Sequence, residues 1–231
     1  MTESIEFGSR QIDFQLVYTN RKSLGITVTP DLDVLVKAPI GTSIEAIKEK
    51  LHKKAPWIIR QQSFFLEFHP KMPARKYVSG ETHLYLGRQY RLKLSITDVE
   101  NVKLKGKFIE VNTPDKSRTK QLIDGWYLKN AEKKLNTTVI ELIKKFKKYN
   151  VEPNSIVLRA MPTRWGSCTA NGKIILNPEL IKAPKGCIEY VIIHELCHLI
   201  HHNHTQKFLD LQSKEMPDWE KWKIKLEKLL A

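Results

Sequence analysis

Apolar and polar positions alternate through the first part of the chain: Phe14, Leu16 and Tyr18, then Leu24, Ile26 and Val28, then Leu32, Val34 and Val36, with Pro30-Asp31 as the turn between the last two runs. A period of two predicts strands within residues 5–37, arranged most simply as two antiparallel hairpins. After a loop at residues 39–42 the period changes. Ile44, Ile47, Leu51, Ala55, Ile58 and Ile59 recur at helical spacing toward Phe68, with Ser43 as N-cap, and Pro56 is expected to kink or interrupt the helix. Beyond a Pro-bearing segment at 69–76, strand character resumes at 82–86, 89–96, 102–104 and 107–111, separated by Gly87-Arg88 and Lys105-Gly106.

From residue 117 to 149 the pattern is helical. Leu135, Val139, Leu142, Phe146 and Tyr149 form one apolar stripe, and Lys133, Lys134, Lys144, Lys145, Lys147 and Lys148 fill the other faces, most simply as a solvated surface. Strands are expected again at 155–158 and 173–176, the second after a tight turn at Asn171-Gly172. Pro184 suits the start of a further helix, and residues 205–214 and 217–229 predict two more, Pro217 opening the last. No internal repeat and no low-complexity segment is visible. The change of pattern near residue 112 predicts an α+β protein: a β-rich N-terminal domain with one helix at 1–112, then a helical domain at 113–231.

The helix after Pro184 carries the chemistry. Tyr190-Val191-Ile192-Ile193 leads into His194-Glu195-Leu196-Cys197-His198, an H-E-x-x-H motif. Imidazoles four residues apart project about 40° from one another around the helix axis, so both can reach one metal ion. Glu195 follows the first of them, where its carboxylate can take a proton from water without being a ligand. Burying two His and a Glu in so apolar a segment without a shared purpose would cost several kcal/mol.

A catalytic zinc needs a third protein ligand. His201, His202 and His204 are the candidates. A straight helix would keep His201 on the face of His194 and His198, but three ligands in a row fit a tetrahedron poorly. A turn at Asn203, in the left-handed conformation, would swing His204 back toward the metal. The interval from His194 to His204 equals that of H-E-x-x-H-x-x-G-x-x-H, although His201 stands where that pattern has Gly. His201 and His202 therefore stay open as alternative ligands. Zinc is the expected cofactor, and manganese or nickel could also be held by three neutral imidazoles.

Composition narrows the setting. The 231 residues, 41% hydrophobic, can bury one sizeable core or two small ones. No run approaches the ~18 apolar residues of a membrane span, and Met1-Thr2-Glu3-Ser4 lacks the features of a signal peptide, so a cytoplasmic location and no membrane partner are expected. Cys168, Cys187 and Cys197, odd in number and without a C-x-x-C pair, are expected to be reduced, with Cys197 a small core residue. The net charge of +14 is mostly Lys and is spread from Arg10 to Lys228. It implies nonspecific affinity for nucleic acids and other anionic surfaces, without a recognisable nucleic-acid-binding motif.

Taken together, Arg164-Trp165-Gly166-Ser167-Cys168, Ile174-Ile175-Leu176-Asn177, the helix from Tyr190 to Leu199 and Asn203-His204 resemble the YgjP-like family of zinc metallopeptidases, relatives of the SprT-like and Wss1-like proteases. Asn20-Arg21-Lys22-Ser23, Lys37-Ala38-Pro39, Pro56-Trp57-Ile58 and Gly80-Glu81…Tyr85-Leu86-Gly87 extend the resemblance over most of the chain. It implies a minimal zincin-like domain with metal ligands His194, His198 and His204 and the catalytic carboxylate Glu195; the substrate expected here is a peptide or protein. Arg164, Trp165 and Asn177 are candidate substrate-binding residues. Arg164 could stabilise an oxyanion or a substrate carboxylate, and Trp165 could form core or cleft wall. An extended peptide could add as a further strand beside residues 173–176. Some members of the family are linked to nucleotide hydrolysis, which makes a nucleotide phosphohydrolase the first alternative. A nucleic-acid-associated module with a structural metal is the second.

Overall fold

The computed structural model describes residues 2–8, 10–29, 31–66, 75–161 and 164–230. Pro30, Phe68 and most of the segment 69–76 lie outside them. Two compact units divide the chain, residues 1–73 and 74–230.

In the first unit, β1 (Thr2–Phe7), β2 (Arg10–Thr19), β3 (Gly25–Val28) and β4 (Val34–Pro39) form a sheet of order β1-β2-β4-β3, which α1 (Ile44–Leu66) packs against. β1 with β2 and β3 with β4 are the two expected antiparallel hairpins, joined by a parallel β2–β4 pairing. The alternation works as read for Phe14, Leu16, Val34 and Val36, whose side chains share a core with Ile47, Leu51, Ala55 and Ile58 of α1. Each fully buried Phe, Leu, Ile or Val side chain among these contributes about 1.5–3 kcal/mol. Tyr18 departs from the pattern and is 44% exposed. Leu32 sits in the turn at φ 70°, not in a strand. The helix runs on through Pro56. Pro56 and His52 are both exposed, so the carbonyl that loses its donor lies on the solvent side.

The second unit opens with β5 (Thr82–Tyr85), β6 (Arg88–Ile96), β7 (Asn101–Lys105) and β8 (Phe108–Thr113), followed by α2 (Thr119–Phe146). The sheet order is β5-β6-β8-β7, with antiparallel, parallel and antiparallel pairings. This is the topology of β1 to α1 repeated. The expectation of no internal repeat fails at this level, because the two copies share a pattern of apolar positions and not a recurring motif. The units also divide at residues 73 and 74 and not near residue 112, since Leu92, Ile109 and Val111 of this sheet bury in the same core as Ile123, Tyr127 and Ala131 of α2.

The remaining elements belong to that core. β9 (Ser155–Leu158), β10 (Gly166–Cys168) and β11 (Lys173–Leu176) form a sheet of order β10-β11-β9, with β11 parallel to β9 and antiparallel to β10. Residues 173–176 are thus the central strand, paired on both sides, and the two edges of the sheet are β10 and β9. A short 3-10 turn, Pro178–Lys182, leads into α3 (Lys185–His198), then α4 (Gln206–Glu215) and α5 (Trp219–Leu230). α3 is set in place from several sides. Leu86 and Gly87, at the β5–β6 turn, donate backbone hydrogen bonds to Ile181 and Lys182, and a Cβ on Gly87 would lie 2.6 Å from Pro184 Cγ. At Gly186 a Cβ would collide with the Trp222 ring of α5. The short 3-10 turn after α2, Lys147–Tyr149, is tied to the end of α4: Tyr149 donates to the buried Glu215 carboxylate at 2.5 Å, and Lys148 pairs with it at 2.8 Å.

Candidate metal centre and active-site cleft

His194 and His198 occupy the last turns of α3, within a segment whose other residues are mostly buried. The helix ends at His198. Leu199 and Ile200 close it with bonds to the carbonyls of Leu196 and Cys197, and a bend at 202–203 follows, where Thr205 N–H donates to the Asn203 carbonyl. Asn203 does not take the left-handed conformation expected of it; the short turn redirects the chain without one. His204 nonetheless returns to the helix face. One nitrogen from each of His194, His198 and His204 lies within 4.8 Å of the other two, and the Nε2 atoms of His194 and His204 are 3.1 Å apart.

The hydrogen bonds on the far sides of the rings fix which nitrogens face inward. An amide or carbonyl oxygen can only accept, so Nδ1 of His194 carries a proton donated to Gln212 Oε1 at 2.8 Å, and Nδ1 of His198 one donated to the His201 carbonyl at 3.1 Å. Both Nε2 lone pairs then point into the cluster. His204 Nε2 stands 3.1 Å from His194 Nε2, and ligands about 2.0–2.1 Å from a tetrahedral zinc stand roughly 3.3 Å from one another. The donor set fits such an ion. Burial, joined by the charges of neighbouring imidazoles and opposed by the Gln212 bond, brings His194 down to about 4, which keeps it neutral and free to ligate. Phe208, fully buried, backs all three rings with centroids 4.6–5.0 Å away.

Glu195 is 5% exposed and lies against β10, where a Cβ on Gly166 would fall 2.5 Å from its Oε1. Only glycine allows this approach. Burial raises the Glu195 carboxyl to about 7, opposed by a hydrogen bond from the Cys168 backbone N–H and by the Arg164 charge. Gly166→Ala should therefore push the carboxylate aside while leaving the three imidazoles in place. With Glu195 as the general base proposed below, a displacement of ~1 Å costs on the order of 100-fold, so turnover should fall by about that factor with metal content unchanged. Assay and metal analysis of the same preparation check it, and full turnover would show that Glu195 need not sit where it does.

Arg164, Gly166 to Ala170, His194, Glu195, His198, His202 and His204 surround an open cleft of about 480 Å³. Of the other expected residues, His202 lines this cleft without joining the three-nitrogen cluster, and His201 contributes its carbonyl. Trp165 packs on the core. Asn177 does not face the cleft as a substrate-binding residue would. It is 3% exposed, its Nδ2 donates to the carbonyls of Met161 and Arg164, and its Oδ1 accepts from Glu179 N–H. Its polar atoms are spent on holding the loop that carries Arg164.

Gln212, Phe208 and the role of Gly166 were not read from the sequence. A signal existed for the first: Phe208, Leu211, Gln212 and Glu215 recur at helical spacing and all are buried, and an amide on such a face implies a buried partner.

An H-E-x-x-H helix, a third imidazole beside it and a carboxylate in the same open cleft define the class of metal-dependent hydrolases. The family model for a YgjP-like metallopeptidase domain matches residues 22–229, and the chain belongs to that family. None of the curated proteins and none of the solved structures matches it. Among the described residues no helix is long and apolar enough to cross a membrane.

Proposed function

We propose that this protein is a cytoplasmic zinc metallopeptidase in which His194, His198 and His204 hold the metal and Glu195 is the general base. The observation that carries the reading is the grouping of three convergent imidazole nitrogens and a buried carboxylate in one cleft beside the open edge of β10. A divalent ion held there supplies a Lewis acid that polarises the scissile carbonyl and acidifies water. Glu195 accepts the proton at its carboxylate and passes it to the leaving amine. Gln212 and the His201 carbonyl keep the ligating rings in one tautomer and orientation. Arg164, at the cleft wall, is placed to meet a developing oxyanion or a substrate carboxylate.

Substrate orientation follows from register. Trp165 accepts a bond from Asn177 N–H and Thr169 donates to Lys173, so alternation along the antiparallel pair turns the backbone groups of Gly166 and the Cys168 carbonyl toward the open edge, while the Cys168 N–H goes to Glu195. An extended peptide can add there as a strand. β10 takes the place expected of residues 173–176.

The phosphohydrolase alternative needs cations for phosphates, and Arg164 alone among the described cleft-lining residues is permanently charged. Lys145 and Lys148 of the Lys-rich helix instead engage Glu215. A structural metal site would be closed by protein, whereas this one opens on solvent. Incubation with unstructured polypeptides and with nucleoside triphosphates, each with and without chelator, tests the proposal. Chelator-sensitive cleavage of polypeptide is expected; turnover of nucleotide alone would contradict it.

A further inference from the structure

A second cavity, about 460 Å³, lies in the first unit between β3 and α1. Leu24 and Ile26 form its floor, and Lys50, Lys53, Lys54 and Trp57 its wall. We propose that this groove docks an extended acidic segment of a polypeptide substrate, which adds as a strand along β3. The proposal deepens the peptidase reading and rests on it for the role given to the segment.

Three features of the fold carry it. The first is the open strand. β3 is the edge of its sheet, paired only with β4. Thr29 N–H donates to the Asp33 carbonyl at 2.9 Å, which fixes the phase of the ladder: Thr27 and Gly25 turn their backbone groups to β4, and Ile26 and Val28 turn theirs outward. Among the described residues nothing in the first unit pairs with those outward groups.

The second is charge. Residues 50, 53, 54 and 57 share one face of α1, roughly a quarter turn from the buried stripe of Ile47, Leu51, Ala55 and Ile58. Lys53 pairs with Glu49 on the helix surface. Lys50 and Lys54 form no ion pair among the described residues, Lys50 acting on Glu49 through its charge alone, and Arg21 forms none either, its guanidinium lying against Gly25 with Nε buried and unpartnered. Trp57 stays 39% exposed beside them. An occupant with carboxylates would meet this wall, and a basic one would be repelled.

The third is the comparison offered by the repeat. In the second unit the corresponding helix, α2, is packed by the Pro178–Lys182 turn and by α3. Among the described residues of its own unit, α1 has no such cover. The apolar floor and the unpaired strand edge favour polypeptide over a single-stranded nucleic acid, which could use the lysines and Trp57 but would leave the backbone donors and acceptors of β3 unmet.

The test uses the full chain carrying Glu195→Gln, so that bound peptide is not cut. The probe is a fluorescent peptide of about eight residues alternating Glu and Val, long enough to cover β3, and anisotropy reports binding. Lys50→Glu with Lys54→Glu should weaken binding at least about tenfold, as two exposed charge reversals imply, and Trp57→Ala should weaken it as well. N-methylation of alternate amides of the peptide should abolish binding without any change to the protein. All three side chains are exposed, so the variants should melt like the parent. Unchanged affinity in the double lysine variant would overturn the proposal. So would an N-methylated peptide that binds as well as its parent, or an oligonucleotide that binds more tightly and loses affinity in the same variant. Docking is read without turnover, so its failure and a failure of the peptidase reading are separate results.

Discussion

Glu195→Gln should leave folding and metal content near those of the parent while turnover falls by ~100-fold or more, the scale of positioned acid–base catalysis. Glutamine keeps the size of the side chain. Its amide oxygen can still accept from the Cys168 N–H, and it fits the space that Gly166 leaves open. What it lacks is a basic oxygen. His194→Ala should behave differently, losing metal and turnover together, because it removes one of the three proposed ligands and also leaves Gln212 Oε1 in the core without its donor. Metal analysis and assay of the two variants side by side separate chemistry from metal binding, and they do so for a peptide or a nucleotide substrate alike. A Glu195→Gln protein with normal metal and full turnover would remove the general base from the mechanism.

His204→Ala carries the second large effect. His204 lies on an exposed turn, and its Nε2 stands 3.1 Å from that of His194. Without it the metal keeps two protein bonds, and affinity should drop by well over the 10–100-fold typical of losing an outer-shell partner. His202→Ala should leave affinity nearly unchanged, since that ring lines the cleft outside the cluster. His201→Ala should do the same, because His201 acts on His198 through its backbone carbonyl, which alanine retains. Titration with zinc against a competing chelator measures all three. Loss in His201→Ala with none in His204→Ala would show that the His201 imidazole, and not His204, completes the site.

Much of this architecture was legible because local patterns agree with the packing. Strands at 155–158 and 173–176, the helical stripe from Leu135 to Phe146 and the apolar lead into His194 are where periodicity placed them. The H-E-x-x-H pair was legible because one helix holds both rings. What escaped depends on partners distant in sequence. The boundary near residue 112 followed a change of local period, whereas the core joins the strands before it to α2 after it. Gly166 is defined by a carboxylate 29 positions further on, and Asn177 by carbonyls at Met161 and Arg164. The pairing of β11 on both sides could not be read from its own four residues. His204 was reached through the right interval but with a left-handed Asn203 that the turn does not use.

The most direct measurement is anomalous scattering at the zinc edge from crystals of the zinc-loaded protein. A single peak is predicted about 2.0–2.1 Å from one nitrogen each of His194, His198 and His204, with a fourth position open to the cleft and the Glu195 carboxylate beside it but outside bonding distance. A peak held by His201 or His202, a Glu195 oxygen in the coordination sphere, or no ordered zinc at the three imidazoles would contradict the account.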